Sequence, residues 1–163
     1  MKKLIILIGI PGSGKTTLAQ KIIEKGFHCL NADKIREELY GDASEQGDKE
    51  QVFSIFFERL EIAFQKELNV IVDNTNLNPK QRKPILDKAR QFGYQNIQLW
   101  LLDMPLDICL KRNSSRERVV PEDIVSNMFL ELNKSGRPRR TEGKITIIRP
   151  SKEGDDYLFF PQQ

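Results

Sequence analysis

The chain has 163 residues, 39% of them hydrophobic and 30% charged, with a formal net charge of +3 at pH 7. That length suits one well-covered core, no apolar stretch is long enough for a bilayer span, and so small a net charge creates no overall field for nucleic acid. Cys29 and Cys109 are too few and too isolated for a disulfide framework or a zinc site, so the expected setting is a reducing cytoplasm without membrane attachment.

Residues 2–8 form a short apolar run rich in β-branched side chains, the pattern of one buried strand. Lysines ahead of an apolar run also open an export signal, but no small-residue cleavage site comes after this one. The run leads instead into G-x-x-x-x-G-K-[ST], matched at Gly9, Gly14, Lys15 and Thr16. A dinucleotide fingerprint would need glycine where Thr17 stands. The expected element is a phosphate cradle opening a helix. Glycines let backbone N–H groups face an anion, and the helix N-terminus adds positive potential. Pro11, Gly12, Ser13 and Thr17 belong to this loop; Lys15 reaches the β- and γ-phosphates of ATP, and Thr16 offers a hydroxyl to Mg²⁺.

The first helix carries Leu18, Ile22 and Ile23 and ends at Gly26. Residues 27–31 read as a second strand containing His28, the single histidine, for which a core or edge role is expected. Residues 32–40 read as a helix with Asp33 as its N-cap, succeeded by a polar loop over 41–47. A long helix comes next, with Val52, Ile55, Phe56, Leu60, Ala63 and Phe64 at i, i+3, i+4 spacing. Residues 69–73 are a buried strand ending on a carboxylate. Asn78 as N-cap, Pro79 at N1 and Gln81 at N3 open the next helix, which ends near Gly93. A strand over 97–103, helices opening at Pro105 and Pro121, and a strand over 144–149 complete the pattern, with 133–143 as a loop. Alternating strand and helix imply an α/β fold with a mostly parallel sheet of about five strands covered on both faces. Residues 1–150 form the domain, and 151–163 a tail whose Tyr157–Phe160 cluster docks on it.

Function in such sheets collects at the carboxyl ends of the strands. Asp33 and Arg36 are three apart and share a helix face. Asp33 is either a general base or merely a cap; Arg36 either grips an acceptor anion or makes a surface pair. Asp73 ends an apolar run as a Walker B carboxylate that holds Mg²⁺ does; Asp103 ends a similar run, but Asp73 is favoured because Asn74, Thr75 and Asn76 beside it bring polar groups to the acceptor side of the cleft. Arg112, Arg116 and Arg118 fall in a segment (112–120) that reads as a mobile basic lid or as solvated surface; Arg112 and Arg116 would clamp phosphates together if the helix runs that far. Tyr40 and Phe27 are the nearest candidates for stacking a base.

The succession GIPGSGKTT, NADKIREELYGD, VIVDNTNLNPKQR and LDMPLDICLKRNSSRERVVPEDIVSNM resembles the phage-type polynucleotide 5′-hydroxyl kinases, in order, up to about Leu132. The resemblance implies a P-loop kinase fold with an arginine-bearing lid, moving the γ-phosphate of ATP to the 5′-OH of DNA or RNA with Mg²⁺. It implies Lys15 and Thr16 on phosphate and metal, Asp33 as base, Arg36 on the acceptor's 3′-phosphate, and Arg116, with Arg112, on the ATP phosphates. It also leaves self-association open. Where the phage enzyme has Ser-Asp before TNLNP, this chain has Asp73-Asn74, which turns the carboxylate to the other strand face. No D-x-D-G-T phosphatase motif occurs, so the kinase half alone is expected. Two other functions fit the residues: a kinase of a small-molecule hydroxyl (nucleoside, sugar or antibiotic), and a regulatory nucleotide-binding switch.

Overall fold

A computed structural model describes residues 2–43, 45, 47–153 and 156–163. The strands β1 (Lys3–Ile8), β2 (His28–Leu30), β3 (Val70–Val72), β4 (Asn96–Leu102), β5 (Lys144–Pro150) and β6 (Tyr157–Pro161) form one sheet in the order β2-β3-β1-β4-β5-β6. β1 to β5 are parallel to their neighbours; β6 runs antiparallel to β5. Every residue from Leu4 to Ile8 and from Val70 to Val72 is buried, so both faces of the central strands are covered. This is why those strands read as unbroken apolar runs rather than alternations.

The helices are α1 (Lys15–Ile23), α2 (Ala32–Tyr40), α3 (Lys49–Gln65), α4 (Pro79–Phe92), α5 (Leu106–Ser114) and α6 (Glu122–Glu131). Among the described residues, no helix is long and apolar enough to cross a membrane. Three helix starts are fixed by side chains: Asn31 accepts from Lys34 N–H, Asp48 from Glu50 and Gln51 N–H, and Asn78 from Gln81 N–H. The first of these corrects the expectation that Asp33 caps α2. Asn31→Ala should lower stability by about 1 kcal/mol, read as a shifted urea midpoint at constant m-value.

Two further corrections concern the C-terminal third. The expected loop at 133–143 begins with a π-helical turn, Leu132–Gly136, that prolongs α6. Its last residue lies so close to the Leu77 carbonyl that a Cβ on Gly136 would collide with it. The sheet has a sixth strand beyond the five expected, made by residues of the expected tail. Phe159 of that strand meets Trp100 of β4 edge to face, ring centroids 5.5 Å apart, and Pro161 fits because β6 is an edge strand. His28 is exposed on the other edge, β2.

β1 lies between β3 and β4, and the chain winds outward from it in both directions. The crevice at the carboxyl ends of the strands therefore opens where β1 meets the loop 9–14.

Candidate active site

The loop after β1 is held by its own backbone. Gly9 N–H donates to the Thr75 carbonyl at 3.1 Å and Ser13 N–H to the Ile10 carbonyl at 3.1 Å. Gly12 (φ +84°) and Gly14 (φ +95°) are left-handed, and a Cβ on Gly12 would run into the Cys109 carbonyl of α5. Both glycines are thus required by conformation, and one by contact as well. Unlike α2, α3 and α4, helix α1 has no side chain capping it. Its first N–H groups have no intrahelical partner, which is the anion-binding arrangement of a helix N-terminus. Ser13 is fully buried, and its hydroxyl finds no partner among the described residues.

Lys15 opens α1. Burial pushes its ammonium pKa down; Asp73 pulls it back up, Arg116 pushes it further down, and Asp33 raises it again. Charged groups from β3, the lid and α2 therefore all act on the P-loop lysine. An arriving phosphate would stabilise the charged form. Affinity for ATP should accordingly fall as pH rises through the lowered Lys15 pKa, because the neutral amine binds phosphate less well. KM for ATP measured against pH checks this, and Lys15→Arg should remove the dependence because guanidinium does not titrate there.

With Asn31 as the cap of α2, the carboxylate of Asp33 is left to other partners. Its Oδ1 accepts from Arg36 Nη1 at 2.7 Å, and its Oδ2 lies 3.8 Å from Arg118 Nη1. The Arg36 side chain is only 13% exposed, and its Nε is buried without a partner among the described residues. A buried donor left unpaired is costly, and an anion would satisfy it.

Asp73, just past β3, is 7% exposed, and its Oδ2 is 3.5 Å from Asn31 Nδ2. Asn74 Oδ1 accepts from Ala32 N–H at 3.0 Å, which ties the strand end to the start of α2. Asn76 corrects the acceptor-side expectation: it is 3% exposed, sits at φ +52°, and donates to the Leu7 carbonyl at 2.8 Å. Its side chain supports β1 and does not face the crevice. Asp103, the rival carboxylate, pairs at 3.3 Å with both Arg137 and Arg149. Tyr40 is also engaged, since its hydroxyl accepts from Asp48 N–H at 3.0 Å and Gly47 lies on its ring.

The lid begins where α5 stops, at Ser114, so Arg112 lies on the helix and Arg116 just beyond it. The condition for a shared helical clamp is not met. Arg112 Nη1 lies beside Gly14, 3.4 Å from where a Cβ would be. Asn113, fully buried, closes the lid's base by donating to Val120 C=O at 2.7 Å and accepting from Val120 N–H at 3.1 Å. Tyr157 of β6 donates to the Gly14 carbonyl at 3.0 Å, with Lys21 5.1 Å from its ring centroid. No sequence pattern marks Asn113 or Tyr157 as part of the site. The one hint of Tyr157 is an aromatic cluster too apolar for a free tail.

A mostly parallel sheet with its order reversing at β1, an uncapped α1 behind a glycine loop, and a buried lysine under the electrostatic influence of Asp73, Arg116 and Asp33 define a P-loop kinase domain. The chain belongs to the AAA domain family, which matches residues 4–136. It is 30% identical over 141 residues to the L-seryl-tRNA(Sec) kinase of Methanococcus maripaludis, covering 82% of this chain and 53% of that protein. It is 31% identical over 134 residues to a putative bifunctional polynucleotide kinase/RNA ligase of Autographa californica nuclear polyhedrosis virus, covering 74% of this chain and 19% of the relative. A chain of the Pnkp1/Rnl/Hen1 RNA repair complex superposes with a TM-score of 0.73 at 21% identity, covering 99% of this chain and 49% of the other, a likeness of fold. The chain thus spans about half, or less, of the length of these proteins.

Proposed function

We propose that the protein transfers the γ-phosphate of ATP to the 5′-hydroxyl end of DNA or RNA. The observation that carries this reading is the Asp33–Arg36 pair at 2.7 Å, on the helix whose Asp33 acts electrostatically on Lys15. A nucleotide switch has no evident use for such a pair. The Asp33 carboxylate takes the proton of the 5′-OH as its oxygen bonds to the γ-phosphorus. The bond from that phosphorus to the β,γ-bridging oxygen breaks, and ADP leaves. Lys15 and Arg116 offset the charge on the transferring group. The unpaired Arg36 Nε is a donor for the phosphate next to the reacting sugar.

Mg²⁺ fits the residues present. The Thr16 hydroxyl on the first turn of α1 and the buried Asp73 carboxylate are hard oxygens near Lys15, and Mg²⁺ takes one or two such ligands beside phosphates and water. When bound it would neutralise charge on the β- and γ-oxygens.

A second acceptor class is an aliphatic hydroxyl that is not a nucleic-acid 5′ end, of which the seryl hydroxyl in the name of the L-seryl-tRNA(Sec) kinase is one case. Incubation with γ-labelled ATP, Mg²⁺ and separate acceptors tells them apart. Label on nucleoside 3′-monophosphates and 5′-OH oligonucleotides is expected; label on neutral alcohols alone would move the assignment to the second class.

A further inference from the structure

Two lid arginines act on different groups. Arg116 acts on Lys15, on the donor side, whereas Arg118, two residues on, reaches the Oδ2 of Asp33. Arg36 already holds the Oδ1 of the same carboxylate at 2.7 Å. Both oxygens of the proposed base therefore face a guanidinium, but unequally. The Arg36 contact is short and its side chain largely buried. The Arg118 contact is 3.8 Å long between side chains about half exposed. An ion pair of that kind is weak and easily exchanged for a better anion. A phosphate is such an anion, since it accepts from a guanidinium in a planar, two-point arrangement that a long single contact lacks.

We propose that Arg118 is a specificity-determining residue that recognises a phosphate on the acceptor and, in leaving Asp33 for it, frees the Oδ2 to receive the hydroxyl proton. This rests on the polynucleotide reading and deepens it. A phosphate-bearing acceptor moves Arg118 off the carboxylate; a neutral alcohol offers nothing to move it, and the base stays occupied. The lid then serves two purposes, with Arg116 turned to the donor phosphates and Arg118 to the phosphate on the 3′ side of the 5′-terminal nucleoside. A small-molecule kinase would gain nothing from the second arrangement.

The test compares kcat/KM for a nucleoside 3′-monophosphate with that for the corresponding neutral nucleoside, in the parent and in Arg118→Ala. Losing a charge-assisted contact to phosphate should cut that ratio by about tenfold to a hundredfold. KM for ATP should be unchanged, and Arg118→Lys should recover part of the ratio. Arg118 is half exposed, so the melting temperature should match the parent and show that the fold is intact. An unchanged ratio, or a rise confined to the KM for ATP, would overturn the proposal while leaving 5′-end phosphorylation standing. If the parent itself phosphorylates neither the nucleoside 3′-monophosphate nor a 5′-OH oligonucleotide, the polynucleotide reading has failed instead.

Discussion

Asp33→Asn should lower kcat for phosphoryl transfer by about 10²–10⁴, the usual contribution of a positioned general base. KM for ATP should stay close to that of the parent. The amide keeps the shape of the side chain and an oxygen for Arg36, but it cannot take a proton from the attacking hydroxyl. The geometry separates this loss from a structural one. Asn31, not Asp33, caps α2, so the helix start survives the substitution. The Asp33 side chain is 53% exposed, and the amide oxygen still accepts from the largely buried Arg36. Steady-state kinetics with both substrates varied provide the measurement. A loss appearing equally in melting temperature would instead mark Asp33 as part of the scaffold.

The second large effect concerns a residue with no part in the chemistry. Arg82→Ala should destabilise the fold by about 3–5 kcal/mol, the cost of breaking a buried ion pair from one side. Arg82 is fully buried in α4 and meets Glu142 through Nε at 2.7 Å and Nη2 at 3.0 Å. Its Nη1 also donates to the carbonyls of Asn76 at 2.8 Å and Gly136 at 2.7 Å. One guanidinium thus joins the loop after β3, the π-helical turn after α6 and the segment before β5. Asn76 in turn holds the Leu7 carbonyl at 2.8 Å, just ahead of the P-loop. Urea unfolding of Arg82→Ala gives the magnitude. Glu142→Gln should cost less than Glu142→Ala, because it retains an acceptor for the guanidinium.

These two residues show what the sequence can and cannot convey. The β1 run, the glycine loop and the helix at Lys15 are contiguous, so their chemistry is legible as a motif. Asp33 and Arg36 are also local to one another, but the cap that frees Asp33 rests on Asn31 accepting from Lys34, a contact that competes with Asp33 for the same role. Arg82 reads like any surface arginine on an amphipathic helix. Its burial depends on Glu142, 60 positions away, and on carbonyls presented by other elements. Tyr157 reaches Gly14 across 143 positions, which no periodicity reports. Asn76 and the Arg112–Arg116 clamp depart from expectation for the same reason. Motif spacing says which residues are near the crevice, but not which way a left-handed Asn76 turns or where α5 stops.

The decisive measurement is label transfer from γ-labelled ATP, with Mg²⁺, to a 5′-OH oligonucleotide and to the same strand already carrying a 5′-phosphate. Digestion of the product to 5′-mononucleotides then locates the label. Label on the 5′-terminal nucleotide of the hydroxyl strand, absent from the blocked strand and lost with Asp33→Asn, is the result expected of a 5′-hydroxyl kinase using Asp33 as its base. Free labelled phosphate without labelled strand, or equal labelling of both strands, would contradict it.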